Sequence, residues 1–214
     1  MTPEALQTTC LAYLEEHLES DPAHDISHIR RVVKNTSYLT DIERANSTVT
    51  LASAWLHDCV SVAKDSPLRK QASRLAADEA VCVLEAGGYS PELLPAVHHA
   101  IEAHSFSANI PPRTLEARVV QDADRLESLG AIGIARCLLT GGSMGTPLYE
   151  PGDPFCAQRE PDDRSYTLDH FYCKLFKLPE TMQTQAGREE AQRRVDYMQR
   201  YLDELATEIN HSRL

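Results

Sequence analysis

The chain has 214 residues, of which 42% are apolar and 25% are charged. This composition is typical of globular proteins, and the length predicts one domain, residues 1–214, with a hydrophobic core of its own. The formal net charge is −11, with 21 Lys and Arg against 32 Asp and Glu. An acidic chain is repelled by a polyphosphate backbone, so we expect no nucleic-acid partner, whereas a small anionic substrate held by local cations remains open.

Membrane insertion and secretion are also disfavoured by the sequence. No apolar run approaches the roughly 20 residues that a membrane-spanning helix needs. Residues 1–20 carry acids where a signal peptide would carry a basic and then an apolar region. We therefore expect a cytoplasmic protein that does not bind membranes.

Three helical patterns occupy the first part of the chain. Thr2-Pro3-Glu4 opens the first helix with a capping hydroxyl, a proline and an acid. After a break, a second helix is predicted to run to about Ala45, with His28 in its first turn. A third, TVTLASAWLHDCVSVA, follows Ser47 and is apolar enough to be largely buried, with His57 and the next residue near its end.

The second part of the chain continues with helices and contains one long loop. Two further helices are predicted at LRKQASRLAADEAVCVLEAGG and SPELLPAVHHAIEAHSFS, before a long helix from about Thr114 through Leu139. Residues 141–167 are dense in Gly, Pro and Asp and too long for an ordinary connection, which indicates either a functional loop or a mobile one. Residues 168–210 close the chain as helices. Since no segment alternates like a strand, we expect an all-α helical bundle.

Polar side chains interrupt the apolar helical faces at three places. They are His57 and Asp58, then Asp122 and Asp124, and finally His98, His99 and His104. Burying such groups without a partner costs about 1–3 kcal/mol each. A divalent cation would remove this cost, and His with Asp ligands suit Mn, Fe, Co, Ni or Zn better than Ca or Mg. Neighbouring residues diverge by about 100° on a helix, so His57 and Asp58 can share an ion only beside that helix.

The same residues carry a family resemblance. His28, the LHD of residues 56–58 and the DADRL of residues 122–126 resemble the HD-domain metal-dependent phosphohydrolase superfamily, whose pattern is H…HD…D on an all-α bundle. The stretches DISHIRRV, AIEAHSFS, QDADRLESLGAIGIAR and LDHFYCKLFKL resemble its YpgQ/YedJ-like bacterial branch. The resemblance implies a single HD domain with its metal-binding core at about residues 22–140.

The resemblance also implies a ligand set for one metal ion. The implied ligands are His28, His57, Asp58 and one aspartate of Asp122-Ala123-Asp124. The resemblance favours Asp124 as the last ligand, because the superfamily's last ligand usually stands in an Ala-Asp pair before an apolar or basic residue, and Asp124-Arg125 fits this pattern. Asp122 is the alternative, since residues two apart point to different sides of a helix and cannot both face one ion equally. The expected cofactor is one divalent transition-metal ion, with Mn favoured and Co, Ni, Fe or Zn as alternatives. Some members carry a His-His pair for a second ion where this chain has His104-Ser105, which favours a single ion.

The activity that the resemblance implies is hydrolysis of a nucleotide-like substrate, such as a (deoxy)nucleoside triphosphate cleaved with release of pyrophosphate. Attack by a metal-activated water needs no protein nucleophile, and Asp58 and His104 are the candidate catalytic residues. The candidate cations for substrate phosphates are Arg31, Lys64, Arg69 and Arg125. A nucleotide-binding sensor with a degenerate site and a di-metal HD-like oxygenase are the alternatives. The sequence leaves the oligomeric state open, a homodimer included.

The AHDISHIR stretch contains a second histidine that has to be distinguished from His28. His24 is followed by Asp25, which resembles the His-Asp pair at residues 57–58. Asp25 can cap the second helix, and His24 then lies before that helix and faces water. We therefore expect His28, one helical turn further on, to be the ligand.

Overall fold

A computed structural model describes residues 1–17, 26–62, 66, 68–105 and 108–210. The α-helices in this part of the chain are α1 Pro3–His17, α2 Ile26–Glu43, α3 Ser47–Leu56, α4 Ala72–Ala86, α5 Leu94–His104, α6 Leu115–Arg125, α7 Gly130–Met144, α8 Asp169–Cys173, α9 Leu178–Thr181 and α10 Gln185–Asn210. Short 3-10 helices lie at Arg69–Gln71, Pro91–Leu93, Leu126–Ser128 and Leu175–Lys177. None of the described residues forms a β-strand, which confirms the predicted all-α class. No described helix is long and apolar enough to cross a membrane.

The chain divides into two compact units. Unit 1 comprises Met1–Asp124 with Gln183–Ala186, and unit 2 comprises Arg125–Met182 with Gly187–Leu214. The single domain over residues 1–214, with its core at about 22–140, stays a prediction.

The core of unit 1 is formed by the apolar faces of α1, α3, α4 and α5. Helix α3 lies at its centre, because every residue from Ala52 through Leu56 is buried. Asn46 begins α3 by accepting a hydrogen bond from the Thr48 amide, at 3.0 Å. Helix α2 packs against α3 and buries Ile29, as expected from its apolar spacing. This packing places the first turn of α2 beside the end of α3.

The end of α3 differs from the prediction in a way that matters for the site. The apolar pattern predicts a helix that continues past Cys59, but α3 ends at Leu56 and His57 is its C-cap. The chain then turns, with the Cys59 amide donating to the Leu56 carbonyl at 3.2 Å and the Cys59 thiol donating to the Ala76 carbonyl at 3.4 Å. His57 keeps helical dihedrals, at φ −57° and ψ −35°, so the helix ends just beyond it and the chain turns at the His-Asp pair.

The predicted long helix from Thr114 through Leu139 is wrong, because the chain bends between α6 and α7. Leu129 is extended, at φ −121° and ψ 161°. Gly130 follows at φ +72°, in the left-handed region that glycine adopts without strain. Helix α7 then continues to Met144, so the first residues of the predicted 141–167 loop are helical.

Unit 2 holds the rest of that loop through buried polar contacts. Asp169 is fully buried at the start of α8 and accepts two hydrogen bonds from the Arg159 guanidinium, at 2.5 and 2.6 Å. It also accepts one from the Asp162 amide, at 2.6 Å. The Thr167 amide donates to the Pro147 carbonyl at 2.9 Å. These contacts argue against the mobile alternative, and a function of the loop stays a prediction.

Candidate metal centre

Four helices of unit 1 bring the implied ligands together with His104. His28 lies in the first turn of α2, His57 follows α3, His104 ends α5, and Asp124 lies in the last turn of α6. The three imidazoles are buried, with exposed fractions of 2%, 0% and 4%. One ligand atom from each of His28, His57 and Asp58 lies within 4.8 Å of the others, so these residues can hold a metal ion.

The distances between donor atoms fit ligands that share an ion. The Asp124 carboxylate lies 3.5 Å from His28 Nε2 and 3.8 Å from His57 Nε2. The Asp58 carboxylate lies 3.6 Å from His57 Nε2. These separations are longer than direct hydrogen bonds. Ligand atoms about 2.1 Å from a common ion would lie roughly 3.0–3.5 Å apart, so the observed gaps are close to those of a coordination shell.

Backbone carbonyls fix the tautomers of two histidines. His57 Nδ1 lies 2.9 Å from the Ala54 carbonyl, and His104 Nδ1 lies 2.6 Å from the Ile101 carbonyl. A carbonyl oxygen only accepts, so Nδ1 must donate and the neutral ring keeps its lone pair on Nε2. Metal-binding histidines are oriented by hydrogen bonds of this kind. Among the described residues the buried His57 Nε2 has no hydrogen-bond partner, which fits a role as ligand.

The pKa values in the site follow from burial and from the opposed charges. Burial lowers the pKa of His57, which keeps its imidazole neutral as a ligand requires. Burial raises the pKa of Asp124, but the charges of His57, His28 and His104 outweigh it and the net shift is downward. Burial likewise lowers the pKa of His104, but Asp58, through a hydrogen bond and its charge, raises it to about 8.

Asp122 and Asp124 have different environments. Asp122 is fully buried and uses both carboxylate oxygens for the chain at residues 183–184. It accepts from the Gln183 amide at 2.8 Å, from the Thr184 amide at 2.8 Å and from the Thr184 hydroxyl at 2.7 Å. The Asp124 side chain is 28% exposed and lies beside the two histidines. The geometry thus favours Asp124 as the last ligand and gives Asp122 a structural role.

Of the three histidines of α5, one lies in the site and two lie outside it. His104 packs edge-on against His57, with ring centroids 5.0 Å apart, and its Nε2 lies 3.5 Å from Asp58. His98 instead lies 2.9 Å from Asp78, and His99 Nε2 accepts a hydrogen bond from a backbone amide at 3.0 Å. Only His104 of this stretch is therefore placed to act in the site.

The predicted phosphate-binding cations have varied positions. Arg31 lies one turn after His28 on α2 and is half-buried. Arg69 is exposed and donates to the Val62 carbonyl at 2.9 Å. Arg125 is half-buried in unit 2 and donates to the Thr181 carbonyl at 2.6 Å. Lys64 and the two residues His24 and Asp25 lie outside the described part of the chain.

Two contacts that support the site had no clear signal in the sequence. The Asn35 side chain, two turns after His28, donates to the Ala123 carbonyl at 3.3 Å and so ties α2 to the residue before Asp124. Asp122 secures the same stretch through residues 183–184. The spacing of Asn35 from His28 by seven residues, which puts both on one helical face, could have indicated the first contact.

Comparison with known proteins identifies the family. A model of the HD domain matches residues 25–129. An HD-superfamily hydrolase of Bacillus thuringiensis is 32% identical, covers 98% of this chain and 98% of its own, and superposes with a TM-score of 0.75. YpgQ of Bacillus subtilis, solved in complex with ADP, is 29% identical, covers 97% of this chain and 96% of its own, and superposes with a TM-score of 0.75. In sequence, YpgQ is 29% identical over 195 residues, which are 89% of this chain and 87% of YpgQ.

The all-α fold and the H…HD…D arrangement define the class of protein. The chain belongs to the HD-domain superfamily, as its sequence predicts. The similarity to YpgQ extends well beyond residue 129 and so includes most of the C-terminal part of the chain.

Proposed function

We propose that the protein is a metal-dependent phosphohydrolase that acts on a nucleotide, such as a (deoxy)nucleoside triphosphate cleaved with release of pyrophosphate. The observation that carries the proposal is the convergence of imidazole Nε2 atoms and carboxylate oxygens 3.5–3.8 Å apart. A cytoplasmic location belongs to the same proposal and rests on the sequence alone.

His28, His57, Asp58 and Asp124 would hold one divalent ion, with Mn as the first choice and Co, Ni, Fe or Zn as alternatives. The chemistry supplied by such an ion is a lowered pKa for water and neutralised charge on a phosphoryl oxygen. Two imidazoles and two carboxylates offer borderline and hard donors, which suit these metals. Three buried rings exclude other water from the ligand atoms and hold them in place before substrate arrives.

Asp58 and His104 would do the proton chemistry. Asp58 is 30% exposed, so one carboxylate oxygen can take a proton from an attacking water. His104 is held by the Ile101 carbonyl and reaches Asp58 with Nε2, so it orients that carboxylate. When protonated, His104 has one N–H besides the one held by Ile101, and this Nε2–H can donate to Asp58 or, in its place, to a phosphate oxygen.

The nucleotide part of the proposal is supported by the relative that binds ADP. YpgQ was solved with ADP, and the similarity covers 97% of this chain. A polyphosphate needs cations besides the metal, for which Arg31, Lys64, Arg69 and Arg125 remain the candidates.

Turnover of a nucleotide panel tests the proposal. Protein loaded with Mn²⁺, Co²⁺ or Ni²⁺ is incubated with nucleoside and deoxynucleoside triphosphates, and pyrophosphate and monophosphate are measured. His28→Ala should abolish turnover, and His24→Ala, in the same stretch, is the matched control that should retain most of it. The hydrolase proposal fails if loaded protein leaves every phosphate ester and anhydride intact while a known phosphohydrolase cleaves them. If the two variants behave in the opposite way, the ligand set is wrong at its first residue.

A further inference from the structure

Unit 2 contains a cavity that the proposed metal chemistry does not use. Its volume is about 490 Å³, within the roughly 300–1,000 Å³ of small-molecule sites. All of its lining residues belong to unit 2 and none is an implied metal ligand. The walls are one face of α7, the start of α8 and the loop between them.

The walls of the cavity are held by close packing and hydrogen bonds. A Cβ on Gly141 would clash with the Thr167 side chain, so only glycine lets α7 approach the loop this closely. The Thr167 hydroxyl donates to the Thr146 carbonyl at 3.3 Å, and the Cys137 thiol donates to the Thr167 carbonyl at 3.7 Å. The buried Asp169, the first residue of α8, ties that helix to the preceding loop through hydrogen bonds from Arg159. The cavity is thus formed before any ligand binds.

The charge of the lining is opposite to that of the protein. Arg136, Arg164 and Lys174 line the cavity together with one acid, Asp163, a formal excess of two positive charges in a chain of net charge −11. His170 Nδ1 lies 2.8 Å from the Asp163 carboxylate, so the acid of the lining has a partner within the lining itself. A phosphomonoester carries about −1.5 to −2 charges at neutral pH, which matches this excess better than a single carboxylate does. The buried Leu175 adds an apolar surface.

We propose that this cavity, lined by Arg136, Arg164, Lys174 and His170, binds a small organic phosphomonoester with an apolar or aromatic body. Guanidinium groups recognise phosphate through paired N–H donors, and lysine adds a point charge. The site acts without a metal ion and does not depend on the proposed hydrolysis.

Calorimetric titration of the full chain tests this site. The protein is treated with a chelator and titrated with phenyl phosphate, and in parallel with phenylacetate as a carboxylate of similar body. Phenyl phosphate should bind once per chain and more tightly than phenylacetate. Lys174→Ala should weaken the binding of phenyl phosphate by about tenfold or more, since it removes a charged contact. Thr140→Trp, at an exposed position of the lining, should block the cavity without disturbing the fold.

Two control variants test whether phenyl phosphate binds in this cavity rather than elsewhere on the chain. Lys177→Ala removes an exposed lysine of the same unit that does not line the cavity. His57→Ala removes an implied metal ligand. Both should bind phenyl phosphate like the unmodified chain. The proposal is overturned if phenyl phosphate does not bind, or if phenylacetate binds as tightly. It is also overturned if Lys174→Ala and Thr140→Trp bind phenyl phosphate like the unmodified chain, or if His57→Ala is the variant that loses this binding.

Discussion

Replacing Asp122 or Asp124 with alanine should separate stability from metal binding. Asp122→Ala removes the acceptor of two amides and one hydroxyl at residues 183–184. A hydrogen bond to a charged group contributes about 1.5–3 kcal/mol when it is shielded from water. Gln183 is exposed and Thr184 is 4% exposed, so only the two Thr184 donors count in full. We therefore expect Asp122→Ala to lower the free energy of unfolding by about 3–6 kcal/mol.

Asp124→Ala should have the opposite profile. Its carboxylate is 28% exposed and lies at 3.5–3.8 Å from two imidazoles, so its loss should change the stability of metal-free protein by less than about 1 kcal/mol. Loss of a ligand should weaken Mn²⁺ binding by more than about 100-fold, since even residues that only orient ligands change affinity by about 10–100-fold.

Urea unfolding of chelator-treated protein, followed by circular dichroism, measures the first effect, and calorimetric Mn²⁺ titration measures the second. Asp122→Asn, which keeps one acceptor oxygen, should lie between the unmodified chain and Asp122→Ala in stability. The reasoning is refuted if Asp122→Ala loses Mn²⁺ binding at unchanged stability, because Asp122 would then be the last ligand.

Three further predictions concern packing, pH and the metal. Gly133→Ala should destabilise the protein by more than about 1 kcal/mol, because the new Cβ would clash with the Ser128 carbonyl, whereas Gly142→Ala in the same helix meets open space and should be neutral or stabilising; thermal unfolding compares the two. Hydrogen bonds from Arg159 and the Asp162 amide outweigh burial and lower the pKa of Asp169, so its contribution is complete above about pH 4 and is lost as the pH falls further. Asp169→Asn should therefore lower the free energy of unfolding by about 3–5 kcal/mol at pH 7 and reduce its dependence on pH below about pH 4. An unchanged pH dependence would contradict this. Mn²⁺ at about 100 times its Kd should raise the free energy of unfolding of the unmodified chain by about 2.7 kcal/mol, and a chelator should reverse this rise. His57→Ala should show neither the rise nor its reversal.

The helices were predictable from local patterns, and their ends were less so. Caps and apolar spacing located α1, α2 and α4 well. The end of α3 at Leu56 was missed because the sequence stays apolar beyond it, and the turn depends on a thiol contact with Ala76 on another helix. The bend at Gly130 was missed because a single glycine is tolerated inside a helix, and only the packing of the surrounding chain selects its positive φ.

The proximity of three implied ligands was predictable from the sequence, but the difference between the two aspartates was not. The family pattern predicts a metal site at His28, His57 and Asp58, and the structure brings those residues within reach of one ion. The choice between Asp122 and Asp124 depends on partners at residues 183–184, about 60 positions away, which no local pattern shows. The same holds for Asn35, whose contact is with the backbone of Ala123.

The ends of three helices explain why a cation should bind this site before an anionic substrate does. His57 follows α3 and His104 is the last residue of α5, and each donates Nδ1–H to the carbonyl three residues earlier, a group that a helix leaves without an internal partner. The carbonyl ends of α3, α5 and α6 carry partial negative charge, and Asp58 and Asp124 add two carboxylates. A phosphate alone would be repelled by this arrangement, whereas a divalent ion would be attracted. We therefore expect nucleotide to bind at this centre only after the metal, in that order.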